Sequence, residues 1–114
     1  MPIDLNKLAK AACWAKVENV DRAQVNKLLE VLESTKNVLY VTIFIAKQRA
    51  RGEIGRYTAR TLSEILLSLG ENVEEAREAL GLFKWLFEAA ADRRRPPMRC
   101  DTVTLKDYLS WVLS

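Results

Sequence analysis

The sequence predicts an all-α fold, a single-domain bundle of five or six helices spanning residues 1–114. Three observations predict it. Apolar residues recur at three- and four-residue spacing in successive stretches, the period that gathers them on one helix face. Capping residues, Asp4, Asp21, Asn72 and Thr104, stand just ahead of such stretches. Gly52, Gly55, Gly70 and Pro96-Pro97 fall between them, where helices must end.

The first helix starts at Asp4, whose carboxylate can accept from the free amides of the following turn. Ile3 and Leu8 have the spacing of a hydrophobic staple, and Leu5, Leu8, Ala9, Ala12 and Cys13 form a narrow apolar stripe with Trp14 near its edge. For the second helix, Asp21 with Gln24 reads as a capping box and Val20 with Val25 as its staple. Val25, Leu28, Leu29 and Leu32 make its inner face, and it should fade at Lys36-Asn37, where Asn tolerates the left-handed conformation.

Val38–Ala46 is ambiguous by propensity, because five of its nine residues are β-branched. It nevertheless runs on into the helix formers Ala46-Lys47-Gln48-Arg49-Ala50-Arg51, and no partner strand is evident. A lone strand leaves its backbone unpaired, so the expectation is a buried helix. Gly52 and Gly55 end it. Thr58 or Thr61 should cap the next helix, Thr61 with Glu64 having capping-box spacing, and Leu62, Ile65, Leu66 and Leu69 form its face before Gly70. Asn72 with Glu75 opens the longest helix, expected to reach Ala91, with Glu74, Glu75 and Glu78 at its start and Arg93–Arg95 at its exit complementing the dipole. Leu80 to Phe87 is apolar almost all round, which suits a central or partner-covered helix. Residues 92–101 read as a basic, Pro-containing intradomain linker before a short helix capped at Thr104, stapled by Val103 and Tyr108.

With 114 residues, 49% apolar and 29% charged, the chain has the composition of a soluble globular domain. No apolar run approaches the ~20 residues of a membrane span, and the N-terminus lacks the basic and apolar regions of a signal peptide. Cys13 and Cys100 belong to no CxxC motif; they could form one bridge, but with no secretory signal the expectation is free, buried thiols in a reducing cytoplasm. The absence of His and scarcity of Gln hint at a thermophile.

Enzyme chemistry finds no support in this sequence. Without histidine it lacks the commonest general base and metal ligand, and it has no phosphate loop of the Walker or dinucleotide type. The carboxylates at 71–78 suit a solvated helix start. The reading is therefore non-catalytic, with no cofactor or metal.

The net charge of +3 is unevenly distributed. Residues 47–60 hold Lys47, Arg49, Arg51, Arg56 and Arg60 against Glu53 alone; residues 92–101 hold Arg93, Arg94, Arg95 and Arg99 against Asp92 and Asp101. The rest of the chain is net negative. Localised positive charge suits a polyanion, arginine forks match phosphate, and Tyr57 between Arg56 and Arg60 could stack on a base. These residues are the candidate nucleic-acid contacts, to RNA or DNA. A helix-turn-helix is one specific form, with Arg56, Thr58, Arg60 and Thr61 reading bases. A scaffold reading instead sends the arginines to acidic protein surface.

The stretch Glu75-Ala76-Arg77-Glu78-Ala79-Leu80-Gly81-Leu82-Phe83-Lys84-Trp85-Leu86-Phe87-Glu88-Ala89-Ala90 resembles a late helix in the small α-helical subunits of CRISPR effector complexes. That resemblance covers about sixteen of 114 residues. It implies a small all-α subunit whose basic surface lines the path of a guide or target strand, working in antiviral defence. It transfers no functional residue, and the capped helix after Pro97 departs from the family pattern.

Phe83 and Phe87 share a helix face while Trp85 points away from it. Trp85, and Trp111 beside Tyr108, are therefore the candidate protein contacts, to a larger complex or to a second copy.

Overall fold

The most thoroughly buried helix is the small, alanine-rich first one. In a computed structural model, which describes residues 3–114, α1 (Leu5–Val17) buries Leu8, Ala9, Ala11, Ala12, Cys13 and Ala15, and only its first turn, at Leu5 and Asn6, is exposed. It packs against α4 (Arg56–Ser68), α5 (Val73–Ala89) and α6 (Leu105–Val112), while α2 (Arg22–Thr35) lies on α5 and on α3 (Val38–Ala50), and α3 on α4. Alanine explains the position. Short side chains let neighbouring backbones close in on several sides at once. The described residues hold six helices and no strand, in one globule with a radius of gyration of 13.0 Å. That is the size expected of a folded chain this long, about 13 Å. Among the described residues, no helix is long and apolar enough to cross a membrane.

Several local expectations hold. Asp4 caps α1 by accepting from the Lys7 amide at 3.1 Å, with Ile3 and Leu8 both buried. Asn72 accepts from Glu75 N at 3.0 Å to open α5, and Thr104 with Asp107 forms a reciprocal capping box at α6. Gly70 supplies the positive φ, +65°, that ends α4. Val38–Ala46 is helical, with its amides capped by Asn37 Oδ1.

Others are corrected, each because a distant partner displaces a local one. Asp21 does cap α2, through the Ala23 amide, but Gln24 closes no box. It is buried, and its Oε1 accepts from Gln48 Nε2 of α3 at 2.7 Å, a polar clasp inside the α2–α3 contact. Lys36, not Asn37, takes the left-handed conformation (φ 53°), which frees Asn37 to start α3. α3 buries Val38, Val41, Ile45 and Gln48 but leaves Leu39, Tyr40 and Ile43 exposed, so it is a half-buried helix. α5 ends at Ala89, two residues earlier than its pattern suggests.

Neither Thr58 nor Thr61 caps α4, and the Thr61–Glu64 box is not formed. Gly55 is the N-cap residue and offers no side chain. Glu18, just past α1, fills the role from outside: its carboxylate accepts from the amides of Tyr57 (2.9 Å) and Thr58 (2.8 Å) and from the Thr58 hydroxyl (2.6 Å). Glycine at 55 makes room for it, since a Cβ there would lie 2.2 Å from Glu18 Cδ. Thr61 donates to the Tyr57 carbonyl instead.

The cysteines, expected as free thiols, are joined. Cys13 and Cys100 have Cα atoms 5.5 Å apart and form a disulfide across 87 residues of sequence. The chain leaving α5 turns back over α1 and brings Cys100 down onto it. Buried bridges belong to oxidising compartments or to the cell interior of hyperthermophiles, so the free-thiol argument for a reducing cytoplasm falls.

Candidate nucleic-acid interface

The two arginine-rich segments, more than thirty residues apart in sequence, are brought to one surface on either side of the C-terminal half of α1. From the α3–α4 side, Arg49, Arg56 and Arg60 line a hollow of about 390 Å³ with Ala46, Ala59 and Ser63. Arg56 and Arg60 also sit at the ring of Tyr57, their Cζ atoms 5.8 and 5.4 Å from its centroid. Such cation–π contacts hold the guanidinium groups in place while leaving their N–H donors free for a ligand.

Tyr57 continues the surface inward. It stacks on Trp14 of α1, with centroids 4.5 Å apart and planes inclined by 22°. These two rings form one wall of a second hollow, about 400 Å³, whose other wall is the segment from Arg95 to Asp101. Arg95 is shared with a third hollow of about 410 Å³, where Arg94 and Lys16 lie over Val20 and Phe87. A band of cationic and aromatic side chains thus runs from Arg49 through Tyr57 and Trp14 to Arg94.

The charges along this band are unspent. Arg22 and Arg77 are tied to Glu88 and to Glu33 and Glu74, and Arg77 together with Lys36 holds the Glu33 carboxyl below its usual range. Arg49, Arg56, Arg60, Arg94 and Arg95 form no ion pair among the described residues. An unpaired arginine can give its whole fork to a phosphate without first breaking a contact.

Two of the sequence-predicted contacts fall elsewhere, and two more, Arg93 and Arg99, line these hollows but are already engaged. Lys47 and Arg51 face the α2–α3 groove beside Glu30. Arg93 caps α6 instead: its Nη2 donates to the Val112 and Ser114 carbonyls at 3.2 and 2.6 Å, rather than complementing the end of α5. Arg99 is held on both carboxylate oxygens of Asp101, at 3.2 and 2.9 Å. Thr58 and Thr61 are buried, which removes two of the four side chains that a helix-turn-helix would present. The α4 amides are likewise taken by Glu18, so the phosphate-binding capacity of that helix end is already filled. Sequence reading missed Trp14 and Lys16. Trp14 gave one signal, a large aromatic standing just outside the apolar stripe of α1.

Of the candidate protein contacts, Trp85 is 71% exposed on α5, while Phe83 is buried. Trp111 is half-buried, edge-on to the buried Tyr108 at 5.6 Å, whose hydroxyl donates to the Leu86 carbonyl. Trp111 therefore belongs to the margin of the core. No group of His, Cys, Asp or Glu among the described residues is arranged to hold a metal ion.

Compared with protein-family models, with curated proteins and with solved structures, the chain matches none. The class of protein defined by fold and site is a small all-helical domain with a cationic, aromatic-studded surface.

Proposed function

We propose that this chain is a non-catalytic nucleic-acid-binding subunit of a larger assembly, holding the phosphate backbone along the band from Arg49 to Arg94. One observation carries the reading: unpaired arginines from two separate segments converge on a single surface, interleaved with the Trp14–Tyr57 stack. Solubility requires dispersed charge, not convergence. Phosphate contacts orient a strand, and aromatic faces accept any base, so the arrangement suits binding with little sequence preference. Exposed Trp85, and the apolar Leu39, Tyr40 and Ile43 on α3, supply surfaces for neighbouring subunits. A small subunit of a CRISPR effector complex, to which α5 bears its resemblance, is an assembly of this kind. The same exposed residues favour a second reading, a pure scaffold, in which the arginines meet acidic protein.

Neutralising Arg49, Arg56, Arg60 and Arg95 to Gln separates the two. Each lost phosphate contact should flatten the log–log salt dependence of single-strand binding by about 0.7, or nearly 3 for all four. Lys47→Gln with Arg51→Gln, on the far groove, should leave that slope close to the parent's. A folded quadruple variant that binds every strand as the parent does removes the nucleic-acid reading and leaves the scaffold.

A further inference from the structure

The hollow between the Trp14–Tyr57 stack and the 95–101 segment has a shape and chemistry that phosphate binding alone does not use. Its helical wall is Trp14, Val17 and Tyr57; its opposite wall is Pro96 and Met98. Most of this lining is apolar or aromatic, and about 400 Å³ lies within the range of small-ligand pockets, about 300–1,000 Å³. Met98 brings a polarizable sulfur against the aromatic side, a surface that adapts to planar rings. At the rim stands Arg95, which has no ion-pair partner among the described residues. Also at the rim, the exposed Arg99–Asp101 pair offers both N–H donors and carboxylate lone pairs to a ring edge.

The two walls are also fastened together. Cys100 lines the hollow, and its bridge runs to Cys13, the neighbour of Trp14. The segment carrying Pro96 and Met98 is thereby held at a set distance from the rings, so a planar guest meets a preformed slot with little ordering cost.

We infer that this slot takes one unstacked nucleobase of a single strand, with Arg95 on its phosphate and the neighbouring phosphates passing Arg56 and Arg60. This rests on the phosphate-band reading and adds to it a strand preference. A base inside a duplex is stacked and paired and cannot enter, whereas a single strand can turn one out at little cost. Binding should therefore depend on the presence of bases but little on their identity.

The test compares labelled single strands of about twelve nucleotides, as DNA and as RNA, with an abasic phosphodiester of equal length and charge. The parent protein should bind the base-bearing strands about 5- to 150-fold more tightly than the abasic one, with the same salt slope for both. Tyr57→Leu should bring that ratio close to one. Met98→Ala, which lies in the segment between α5 and α6 and in no helix, should lower the ratio too and keeps the test open if Tyr57→Leu fails to fold. Equal affinity of the parent for base-bearing and abasic strands overturns the slot and leaves the phosphate band standing. A base preference that both folded variants retain does the same. Failure of the parent to bind any strand overturns slot and band together.

Discussion

Glu18 is the residue whose removal should reveal most about how this fold is held. Replacing it with Ala takes away the acceptor of three hydrogen bonds at the start of α4. Water can reach the Tyr57 amide, since that residue is partly exposed, but Thr58 is fully buried. Loss of an N-terminal cap costs about 0.5–2 kcal/mol. A buried polar group left without a partner adds about 1–3 kcal/mol. Together these give a loss of about 1.5–5 kcal/mol, or about 6–20 °C in Tm for a chain of this length at about 4 °C per kcal/mol. Glu18→Gln should fall between, because one amide oxygen can still serve Thr58 while its NH2 opposes the other donors. Gly55→Ala tests the same contact from the other side, since its new Cβ would lie within 2.2–2.6 Å of three Glu18 atoms. Both changes remove one cap, so the double variant should lose clearly less than the sum of the singles. Urea and thermal unfolding followed by circular dichroism measure the parent and all four variants. A Glu18→Ala loss below about 0.5 kcal/mol, or strict additivity with Gly55→Ala, refutes the account of α4 as a helix capped from a distance.

Two further outcomes follow from the cysteine bridge and from α5. Opening the bridge by Cys13→Ser with Cys100→Ser releases a loop of 87 residues, for which a chain-entropy estimate gives about 4–5 kcal/mol; thermal melts with and without reductant should show a large fall in Tm for the parent and none for the variant, and two titratable thiols in the unreduced, denatured protein would sink the idea, since both positions are buried in the folded one. Trp85→Ala should leave the melting temperature nearly unchanged, because the side chain is 71% exposed, while weakening self-association or capture by a partner subunit; a loss of about 3–5 kcal/mol would place it in the core instead.

How much of this was legible in the sequence depended on the range of the interaction. The six helices could be placed because a cap and its amides lie within one turn, as at Asp4, Asn72 and Thr104. The β-branched run at Val38–Ala46 could be assigned because strand pairing needs a partner and none was present. The exposure of Trp85 followed from helical periodicity alone. Where the partner is remote, the same rules misled: Gln24 matched a capping box yet pairs with Gln48, and Thr61 matched one yet lies inside α4.

Composition and periodicity by themselves thus determined the helical class, most of the boundaries and the localisation of positive charge. They also kept Arg93 and Arg99 among the candidates, because nothing local shows that one is engaged at the end of α6 and the other on Asp101. Only the tertiary structure decided that Ala-rich α1 is the most thoroughly buried helix, that Cys13 meets Cys100, and that Trp14 stands against Tyr57. The physical reason is common to all three. Packing brings together surfaces whose sequence separation carries no signal, and small side chains, thiols and rings reveal their roles only through the neighbour that packing supplies.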